Sequence, residues 1–500
     1  MPDLVEDLKL LIRTRHPIVT IRTVEEAFAA RQVSEAARDM GRTAMEWSVA
    51  DGLRRVIPDS GEMLAGTQAL AGALRYMREN PEPNVYVLKD ALRYVSDATV
   101  ERLLRDMAGE VAPDQRTVFL IDPGGELPAS LGPLAVPYDL ALPDEADIRE
   151  LVKRTANQLT HFGQLVVEMS RAQYNQFLAN LRGLTRVEIG QVVADAILDD
   201  GKLDAADIDR AIEAKKQRLR QTGVLDFIPP PESPPAVGGM DRLRKWLSLR
   251  AGAWTQEAKQ YGLEPPRGIL MLGVQGCGKS LMARYVAAQW RMPLLRMDVG
   301  ALYDKFVGET ERHLRTAFKT ASAMAPCVLW IDEVEKAFAS AGAGPEAARS
   351  DGGLSQRMFG MLLTWMQDRR DPVFLVATAN DVAALPPELM RKGRFDEVFF
   401  VDLPDAKARR TVFQVHLQRR KREPGQFDLD ALAAASEGFS GAEIEQAVVA
   451  GMYAAFAQKR EVTTADLLEE LKATRPLSVV MAEKINALRA WAADRCVRAD

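Results

Sequence analysis

The segment with the clearest chemical signature is rich in glycine and lies just past the middle of the chain. Residues 273–280 have the spacing G-x-x-x-x-G-K-[ST] of a phosphate-binding loop. The glycines let backbone N–H groups turn inward around phosphate oxygens, and the positive end of the following helix adds to the attraction. In such a loop Lys279 reaches the β and γ phosphates and the Ser280 hydroxyl holds Mg²⁺. A chance glycine-rich turn is the alternative, but the loop stands where it should, between a strand-like and a helix-like run.

The predicted nucleotide contacts are the loop and the residue after it: Gly273, Val274, Gln275, Gly276, Cys277, Gly278, Lys279, Ser280 and Leu281.

A second apolar run, residues 328–331, ends in the carboxylates Asp332 and Glu333. Asp332 is expected to bind Mg²⁺ through water, and Glu333 to polarise the water that attacks the γ-phosphate. A strand that ends in two solvated acids is common by itself. At this distance downstream of a phosphate-binding loop, the pair predicts a Mg²⁺ site at Ser280 and Asp332 with Glu333 as a catalytic residue.

The elements around these residues predict an α/β fold. Apolar strand-like runs at 268–272, 328–331 and 373–377 alternate with helix-length amphipathic segments such as 280–289. That alternation indicates a parallel sheet covered on both faces. From Ala406 onward the pattern is helical only, which predicts a small C-terminal helical subdomain.

Length and composition restrict the class of protein. Five hundred residues predict two or three domains, and a net charge of −5 gives no electrostatic reason to expect nucleic-acid binding. Three scattered cysteines fit a reducing compartment. The acidic N-terminus differs from a signal peptide, and the low-charge stretch near 447–457 is too short to span a bilayer. We therefore expect a cytoplasmic protein without membrane insertion.

Residues 237–475 resemble a complete ATPase module of the AAA+ superfamily, in the clade that includes membrane-bound AAA proteases and unfoldases. Besides the loop and the acidic strand, the resemblance rests on residues 261–268, 377–380 and 389–396. It implies ATP and Mg²⁺ as ligands, with Asn380 placing the lytic water. It also implies that Arg391 and Arg394 reach into a neighbouring subunit's site, so that activity requires a closed ring, by resemblance a homo-hexamer.

Further positions carry the same resemblance into the helical region. His416 falls where the clade places a histidine near the nucleotide, although a lone histidine on a helix could equally be structural. Residues 440–443 match the lid segment that approaches the phosphates through backbone, which implies contacts from Gly441 and Ala442.

A pore loop is implied at residues 305–309, where Phe306, Val307 and Gly308 match the aromatic-aliphatic-glycine triplet of threading AAA ATPases. Such a triplet grips an extended polypeptide in the channel of the ring. Phe306 as an ordinary core aromatic at a helix start is the alternative, against which its charged flanks argue.

The chain also departs from the clade. Residues 362–372 form a shorter segment than usual and lack the Asp-Gly element that signals between subunits, which puts coordinated firing in doubt. No His-Glu-x-x-His follows the lid, so no zinc protease of that type is fused to it. The basic run 419–422 is explained by a solvated helix end.

The first 220 residues repeat the module in degraded form. Residues 118–122 parallel 373–377, and residues 142–144 parallel 403–405. Lys89 stands where Asp332 stands in the second copy, and Glu25 and Glu26 stand where the phosphate-binding loop would lie. We predict that this half keeps the fold and has lost nucleotide binding. An independent α/β fold with coincidental matches is the alternative.

The predicted domains are a degenerate AAA-like α/β domain (1–147), its helical lid (148–220), a proline-rich linker (221–236), the AAA+ large domain (237–405), its helical lid (406–475) and a C-terminal helical tail (476–500).

Nearly the whole chain resembles the AAA proteins encoded by a hypothetical reading frame of algal plastids and present in cyanobacteria and other bacteria. Two functions remain open: a ring that threads or remodels a protein client, and an ATP-driven switch or scaffold that binds a partner without pulling. A nucleic-acid-stimulated ATPase is a third possibility, which the acidic balance disfavours. Phe306→Ala separates the first two, because a threading ring would keep ATPase activity and lose client processing, whereas a switch would be unaffected.

Overall fold

The computed structural model describes residues 4–57, 59–80, 82–109, 116–124, 127–159, 166–229, 231, 233–298, 309–337, 354–391 and 393–500. The chain divides into two compact units. One comprises residues 1–155 and 185–193, and the other comprises 156–184 and 194–500.

The first unit is built on a seven-stranded sheet with the order β4-β3-β2-β5-β6-β1-β7. The strands are β1 (Ile18–Arg22), β2 (Ala44–Ser48), β3 (Gly52–Ile57), β4 (Asp59–Met63), β5 (Val85–Lys89), β6 (Thr117–Asp122) and β7 (Ala135–Tyr138). Strands β2, β5, β6, β1 and β7 are parallel, and β3 and β4 extend the edge in antiparallel pairs.

Helices cover both faces of this sheet. They are α1 (Leu4–Arg13), α2 (Glu26–Asp39), α3 (Leu70–Glu79) and α4 (Ala98–Gly109). Alternate residues of β5 enter two separate cores: Tyr86 and Leu88 pack in the core with α3 and α4, and Val85 and Val87 in the core with α1 and α2. Burial on both faces explains why the strand reads as an unbroken apolar run.

The next stretch is mainly helical: α5 (Glu145–Leu159), α6 (Arg171–Leu181), α7 (Arg186–Asp200) and α8 (Asp207–Thr222), with a short parallel pair, β8 (Val166–Val167) and β9 (Lys202–Leu203). Residues 156–184 and 194–222 belong to the second unit, where Leu219 of α8 joins the main core. The segment predicted as the lid of the first module is therefore divided between the two units.

The second unit has a seven-stranded sheet with the order β10-β12-β13-β14-β11-β15-β16. The strands are β10 (Leu225–Ile228), β11 (Gly268–Gly273), β12 (Leu294–Met297), β13 (Cys327–Ile331), β14 (Val373–Ala379), β15 (Glu397–Val401) and β16 (Val497–Arg498). All neighbours are parallel except β10, which pairs antiparallel with β12. The predicted parallel sheet is confirmed.

Each sheet contains five adjacent parallel strands, β7-β1-β6-β5-β2 in the first and β15-β11-β14-β13-β12 in the second. Numbered by their sequence among these five, the strands follow the same order in both sheets: fifth, first, fourth, third, second. An α/β module of one topology thus occurs twice.

The helices of the second unit's large domain are α9 (Asp241–Arg250), α10 (Gln256–Gln260), α11 (Lys279–Trp290), α12 (Glu309–Ala323), α13 (Val334–Ala337) and α14 (Leu354–Asp368). Along β11, Leu270 and Leu272 face the core that contains α12 and α14, whereas Ile269 and Met271 face the core that contains α9 and α11. The sheet is therefore covered on both sides, as predicted.

The predicted helical lid is confirmed. It consists of α15 (Ala406–Arg419), α16 (Leu429–Ala435), α17 (Gly441–Ala457) and α18 (Thr464–Ala473), followed by α19 (Leu477–Val480) and α20 (Ala482–Ala492). Its core is formed by residues such as Phe413, Leu432, Ile444 and Leu467. Within the described residues no helix is both long and apolar enough to cross a membrane.

The structure differs from the sequence prediction at two short strands. Strand β10 lies inside the segment predicted as a linker, because Leu225 and Phe227 are buried in the main core ahead of the prolines. Strand β16 lies inside the segment predicted as a helical tail, where Val497 packs against the core on the other face of the sheet.

Candidate nucleotide-binding and hydrolysis site

The carboxyl ends of three adjacent strands bring the predicted residues together. Strand β11 leads into the phosphate-binding loop. Asn380 directly follows its neighbour β14, and Asp332 and Glu333 directly follow β13. One cavity is lined by Gln275, Gly276, Gly278, Lys279, Ser280, Leu281, Asp332, Glu333, Thr378 and Asn380. Because this is the edge where ligands bind in open parallel sheets, the topology itself places the site.

Two glycines of the loop are required by its geometry. Gly273 has φ of 150°, and a Cβ there would lie 1.9 Å from the carbonyl oxygen of Val401. Gly276 has φ of 77°, and its Cβ would lie 3.0 Å from Ala442 and 3.1 Å from the Ser440 hydroxyl. Any larger residue would push the loop away from its neighbouring strand or from the lid.

Lys279 is buried beneath this loop, with 5% of its surface exposed. Its Nζ donates to the carbonyl oxygens of Gly273 and Val274, each at 2.8 Å. Burial lowers the pKa of Lys279 to about 8, and nearby acidic groups oppose that shift. The ammonium therefore stays protonated at neutral pH, held in place by the loop.

The residues predicted to hold Mg²⁺ lie next to each other. Ser280 Oγ donates to Asp332 Oδ1 at 3.0 Å, so a hydroxyl and a carboxylate converge at one point of the cavity. Such hard oxygen donors fit Mg²⁺, which takes few protein ligands and completes its shell with waters and phosphates. The cation would neutralise charge on the phosphates.

Thr378, which the sequence prediction left out, fixes both acidic positions. Its Oγ1 donates to Asp332 Oδ1 at 2.5 Å and accepts from the backbone N–H of Glu333 at 3.0 Å. The sequence did contain a signal for this role, because Thr378 is the single hydroxyl residue in the otherwise apolar strand β14.

Glu333 is held in an unusual backbone conformation, with φ of 50°. Its Oε1 accepts from Asn380 Nδ2 at 3.1 Å, and its Oε2 accepts from Lys336 Nζ at 2.5 Å. Glu335, also missed from the sequence, accepts the backbone N–H of Asn380 at 2.9 Å. Burial raises the pKa of Glu335. Glu335 thus fixes the backbone of Asn380, whose side-chain amide orients Glu333.

A second cavity adjoins the loop on the side of the lid. Its lining includes Gly238, Gly276, His416, Gly441 and Ala442. The backbone N–H of Ala442 donates to the carbonyl oxygen of Gly276 at 3.0 Å, so the lid contacts the loop through backbone. His416 Nδ1 lies 3.4 Å from a carboxylate oxygen of Glu445, and burial lowers the pKa of His416.

The remaining predicted residues have different positions. Cys277 lines the lid-side cavity, whereas Gly273 and Val274, the first two residues of the loop, line neither cavity. Arg391 and Arg394 also line neither cavity, and Arg394 donates to the carbonyl oxygen of Glu388. Phe306 and Val307 lie outside the described residues.

Family models match most of the chain. Residues 269–403 match the ATPase family associated with various cellular activities (AAA), and residues 426–470 match the AAA+ lid domain. Residues 4–140 and 146–222 match the N-terminal domain and the second domain of the SpoVK-like AAA ATPases.

The chain is also 34% identical over 497 residues to the "Uncharacterized AAA domain-containing protein ycf46" of Guillardia theta, covering 99% of this chain and 96% of that protein. The protein of the same name from Pyropia yezoensis is 33% identical over 493 residues, covering 98% of this chain and 97% of that protein. The chain belongs to the AAA ATPase family. A further AAA relative is the proteasome-activating nucleotidase of Saccharolobus solfataricus, 28% identical over 377 residues, covering 67% of this chain and 92% of that protein.

The first AAA module has no room for a phosphate-binding loop. Three residues, Thr23 to Glu25, connect β1 to α2, whereas five residues, 274–278, connect β11 to α11. The Glu25 side chain is buried and occupies this position. It accepts from the backbone N–H of Arg186 at 2.6 Å and from the Arg186 guanidinium at 2.8 Å.

Arg186 lies where the second AAA module has Gly441. Thr185 and Glu188 form the same reciprocal pair of hydrogen bonds at the start of α7 that Ser440 and Glu443 form at the start of α17. In the second module the lid contacts the loop through a backbone hydrogen bond from Ala442 to Gly276. In the first module the ion pair between Glu25 and Arg186 stands at the equivalent place.

Backbone geometry also aligns the two acidic strands. Asp90 after β5 has φ of 52°, matching Glu333 after β13. The alignment puts Lys89 at the position of Asp332, and Lys89 Nζ lies 2.7 Å from Glu46 Oε2. The same alignment makes Ile121 the counterpart of Thr378. The sequence comparison paired residues 118–122 with 373–377, so the structural alignment differs from it by two residues.

We predict that Glu25→Ala loosens the first AAA module. Removing one partner of a buried pair leaves the Arg186 guanidinium poorly compensated and costs about 3 kcal/mol. Hydrogen exchange of the peptide covering residues 185–193 should then accelerate roughly 100-fold. The control is Glu145→Ala, which removes an exposed partner of Arg149 and should cost less than about 1 kcal/mol. Equal exchange in the two variants would show that the buried pair does not hold the module together.

Proposed function

We propose that this chain hydrolyses ATP with Mg²⁺ in its second AAA module and uses the energy, in a homo-oligomeric ring, to remodel or thread a protein client. The observation that carries the proposal is the convergence of Ser280 with Asp332, and of Asn380 with Glu333, beside Lys279. A glycine-rich turn that matched the motif by chance would not be expected to lie beside both the Ser280–Asp332 pair and the Asn380–Glu333 pair.

Each side chain has a distinct task in this proposal. Lys279 exchanges its two carbonyl acceptors for oxygens of the β and γ phosphates, while Ser280 and Asp332 hold Mg²⁺. The cation supplies charge neutralisation on the phosphates. Glu333 polarises the attacking water, and Asn380 fixes the direction of its carboxylate. Glu335 and Thr378 act through these residues and are positioning residues.

The positions of Arg391 and Arg394 support the proposal of a ring. Arg391 is exposed, and in the described part of the chain its side chain has no hydrogen bond or ion pair. Neither Arg391 nor Arg394 lines the cavity of its own chain. A guanidinium is the usual group for stabilising charge that builds on a transferred phosphoryl group. We therefore assign both arginines to the site of the adjacent subunit, with a hexamer as the family expectation.

Mixing two inactive variants tests the shared site. A subunit with Arg391→Ala and Arg394→Ala keeps its own loop, and a Lys279→Ala subunit keeps its arginines. Random one-to-one rings contain productive neighbours at about a quarter of their interfaces, so about a quarter of the wild-type ATPase rate should return. The control mixture is Lys279→Ala with Glu333→Gln, in which every subunit's own site is defective. No recovery in the first mixture, or equal recovery in both, would reject sites shared between subunits.

A protein client fits the relatives better than a nucleic acid. The relative from Saccharolobus solfataricus is named as a proteasome-activating nucleotidase, and the implied pore residue Phe306 suits an unfolded chain. The switch that binds a partner without pulling remains the competing proposal, and Phe306→Ala distinguishes it. We keep the cytoplasm as the proposed location. The three free cysteines fit such a reducing compartment.

A further inference from the structure

The end of the described chain is built into the ATPase sheet. Strand β16 pairs with β15 through Phe399 and Phe400, and the N–H of Ala499 donates to the carbonyl oxygen of Phe400 at 2.9 Å. The carbonyl oxygen of Ala499 in turn accepts from the N–H of Leu243 in α9 at 3.0 Å. Ala499 is fully buried. This segment is therefore fixed between a strand and a helix.

The next residue, Asp500, is held just in front of α9. Its Oδ1 accepts from the backbone N–H of Met240 at 2.5 Å. Gly239 lies directly against it, since a Cβ at Gly239 would stand 2.8 Å from the same oxygen, and its φ of 77° also favours glycine. One oxygen of this exposed carboxylate is thus fixed by backbone.

That cavity is the lid-side one, where Asp500 is part of the wall together with Gly238 and His416. It shares Gly276, Gly278 and Leu281 with the cavity that contains Lys279 and Ser280. A nucleotide with its phosphates on Lys279 and Ser280 would therefore extend its base into the lid-side cavity. Asp500 is absent from the lining of the phosphate cavity, so it belongs to the base end.

Asp500 differs from the other carboxylates of this cavity. Asp402 pairs with Arg489 at 2.8 Å, and Glu445 pairs with Arg420 at 2.9 Å. Within the part of the chain that the structure describes, Oδ2 of Asp500 has no hydrogen-bond partner. An ionised carboxylate only accepts hydrogen bonds. It therefore suits an exocyclic amino group and repels a carbonyl oxygen.

We propose that Asp500 is a specificity-determining residue of the nucleotide site and selects a purine with a 6-amino group, adenine, over one with a 6-oxo group. The inference rests on the proposed ATPase function. Adenine offers its N6 hydrogens to the free carboxylate oxygen, whereas hypoxanthine and guanine present O6 to it. The C-terminal segment is then a wall of the base pocket as well as a strand of the sheet.

The test compares Mg-ATP with Mg-ITP as substrates of the full-length protein, in wild type and in Asp500→Asn. The asparagine oxygen still accepts from Met240, and its amide group can donate to O6. The ratio of kcat/KM for ATP to that for ITP should fall about tenfold or more in the variant. The reason is that O6 of ITP, which the carboxylate repels, accepts a hydrogen bond from the asparagine amide. Asp494→Asn makes the same chemical change at an exposed position just before β16 and should keep the wild-type ratio.

A second measurement covers the case in which Asp500→Asn does not fold. Purine riboside triphosphate lacks the 6-amino group, and wild type should use it about tenfold less efficiently than ATP, since the hydrogen bond to Asp500 is missing. Equal use of the two by wild type, or an unchanged ATP-to-ITP ratio in Asp500→Asn, would overturn the role of Asp500 and leave the ATPase function intact. A wild-type protein that binds and hydrolyses none of the three nucleotides would overturn both.

Discussion

Lys279→Ala should lose most of its affinity for ATP. The substitution removes the one ammonium that lies beneath the loop, held 2.8 Å from the carbonyl oxygens of Gly273 and Val274. Truncating one partner of a buried, hydrogen-bonded charge pair costs about 2–5 kcal/mol, so the Kd for Mg-ATP should rise about 30-fold or more. Isothermal titration with Mg-ATP measures the change directly.

The matched control for this substitution is Lys472→Ala, at an exposed position near the end of α18. It removes the same charge from the lid and should leave the Kd unchanged. Thermal unfolding of both variants checks that the loop substitution acts on the ligand. An affinity within about threefold of wild type in Lys279→Ala would show that the triphosphate does not sit on this loop, since a lost charge contact costs more than that.

Glu333→Gln should bind ATP normally and hydrolyse it about 100- to 1,000-fold more slowly, because the amide keeps the shape of the side chain and loses its basicity. The glutamine oxygen can still accept from Asn380, which lies 3.1 Å from Glu333 Oε1 in the wild type. The loss should therefore fall on kcat. Single-turnover hydrolysis with saturating protein separates that step from binding.

For this variant the control is Glu437→Gln, at an exposed position of the lid, which should hydrolyse ATP at the wild-type rate. A drop in affinity equal to the drop in rate would mean that Glu333 binds the nucleotide. A rate within about threefold of wild type would remove Glu333 from the chemistry, because a positioned acid–base group contributes more than that.

The sequence predicts the parallel sheet and most of the site because both depend on short-range patterns. The loop from Gly273 to Ser280 has fixed spacing, and the strands buried on both faces read as apolar runs. Thr378 and Glu335 were missed because their roles exist only when β13 and β14 are side by side. No local pattern marks a residue whose partner lies more than 40 positions away.

Contacts between residues far apart in the chain were even harder to predict from the sequence. Strand β16 is only two residues long. It forms because β15 offers an open edge and because the N–H of Leu243 in α9 donates to the carbonyl oxygen of Ala499. Strand β10 stands directly before a proline-rich stretch whose composition suggests a spacer. The partner of Glu25 lies 161 residues away in the chain. The adjacent carboxylates Glu25 and Glu26 were visible in the sequence, whereas the arginine that pairs with Glu25 was not.

The most direct test of the account is to count the nucleotides that each chain binds when hydrolysis is blocked. Glu333→Gln would be titrated with Mg-ATP, and the stoichiometry compared with that of a Glu333→Gln, Lys279→Ala double variant. Because Glu25 and Arg186 occupy the site of the first AAA module, we expect one nucleotide per chain in the single variant and none in the double variant. Two nucleotides per chain, or one that persists without Lys279, would contradict it.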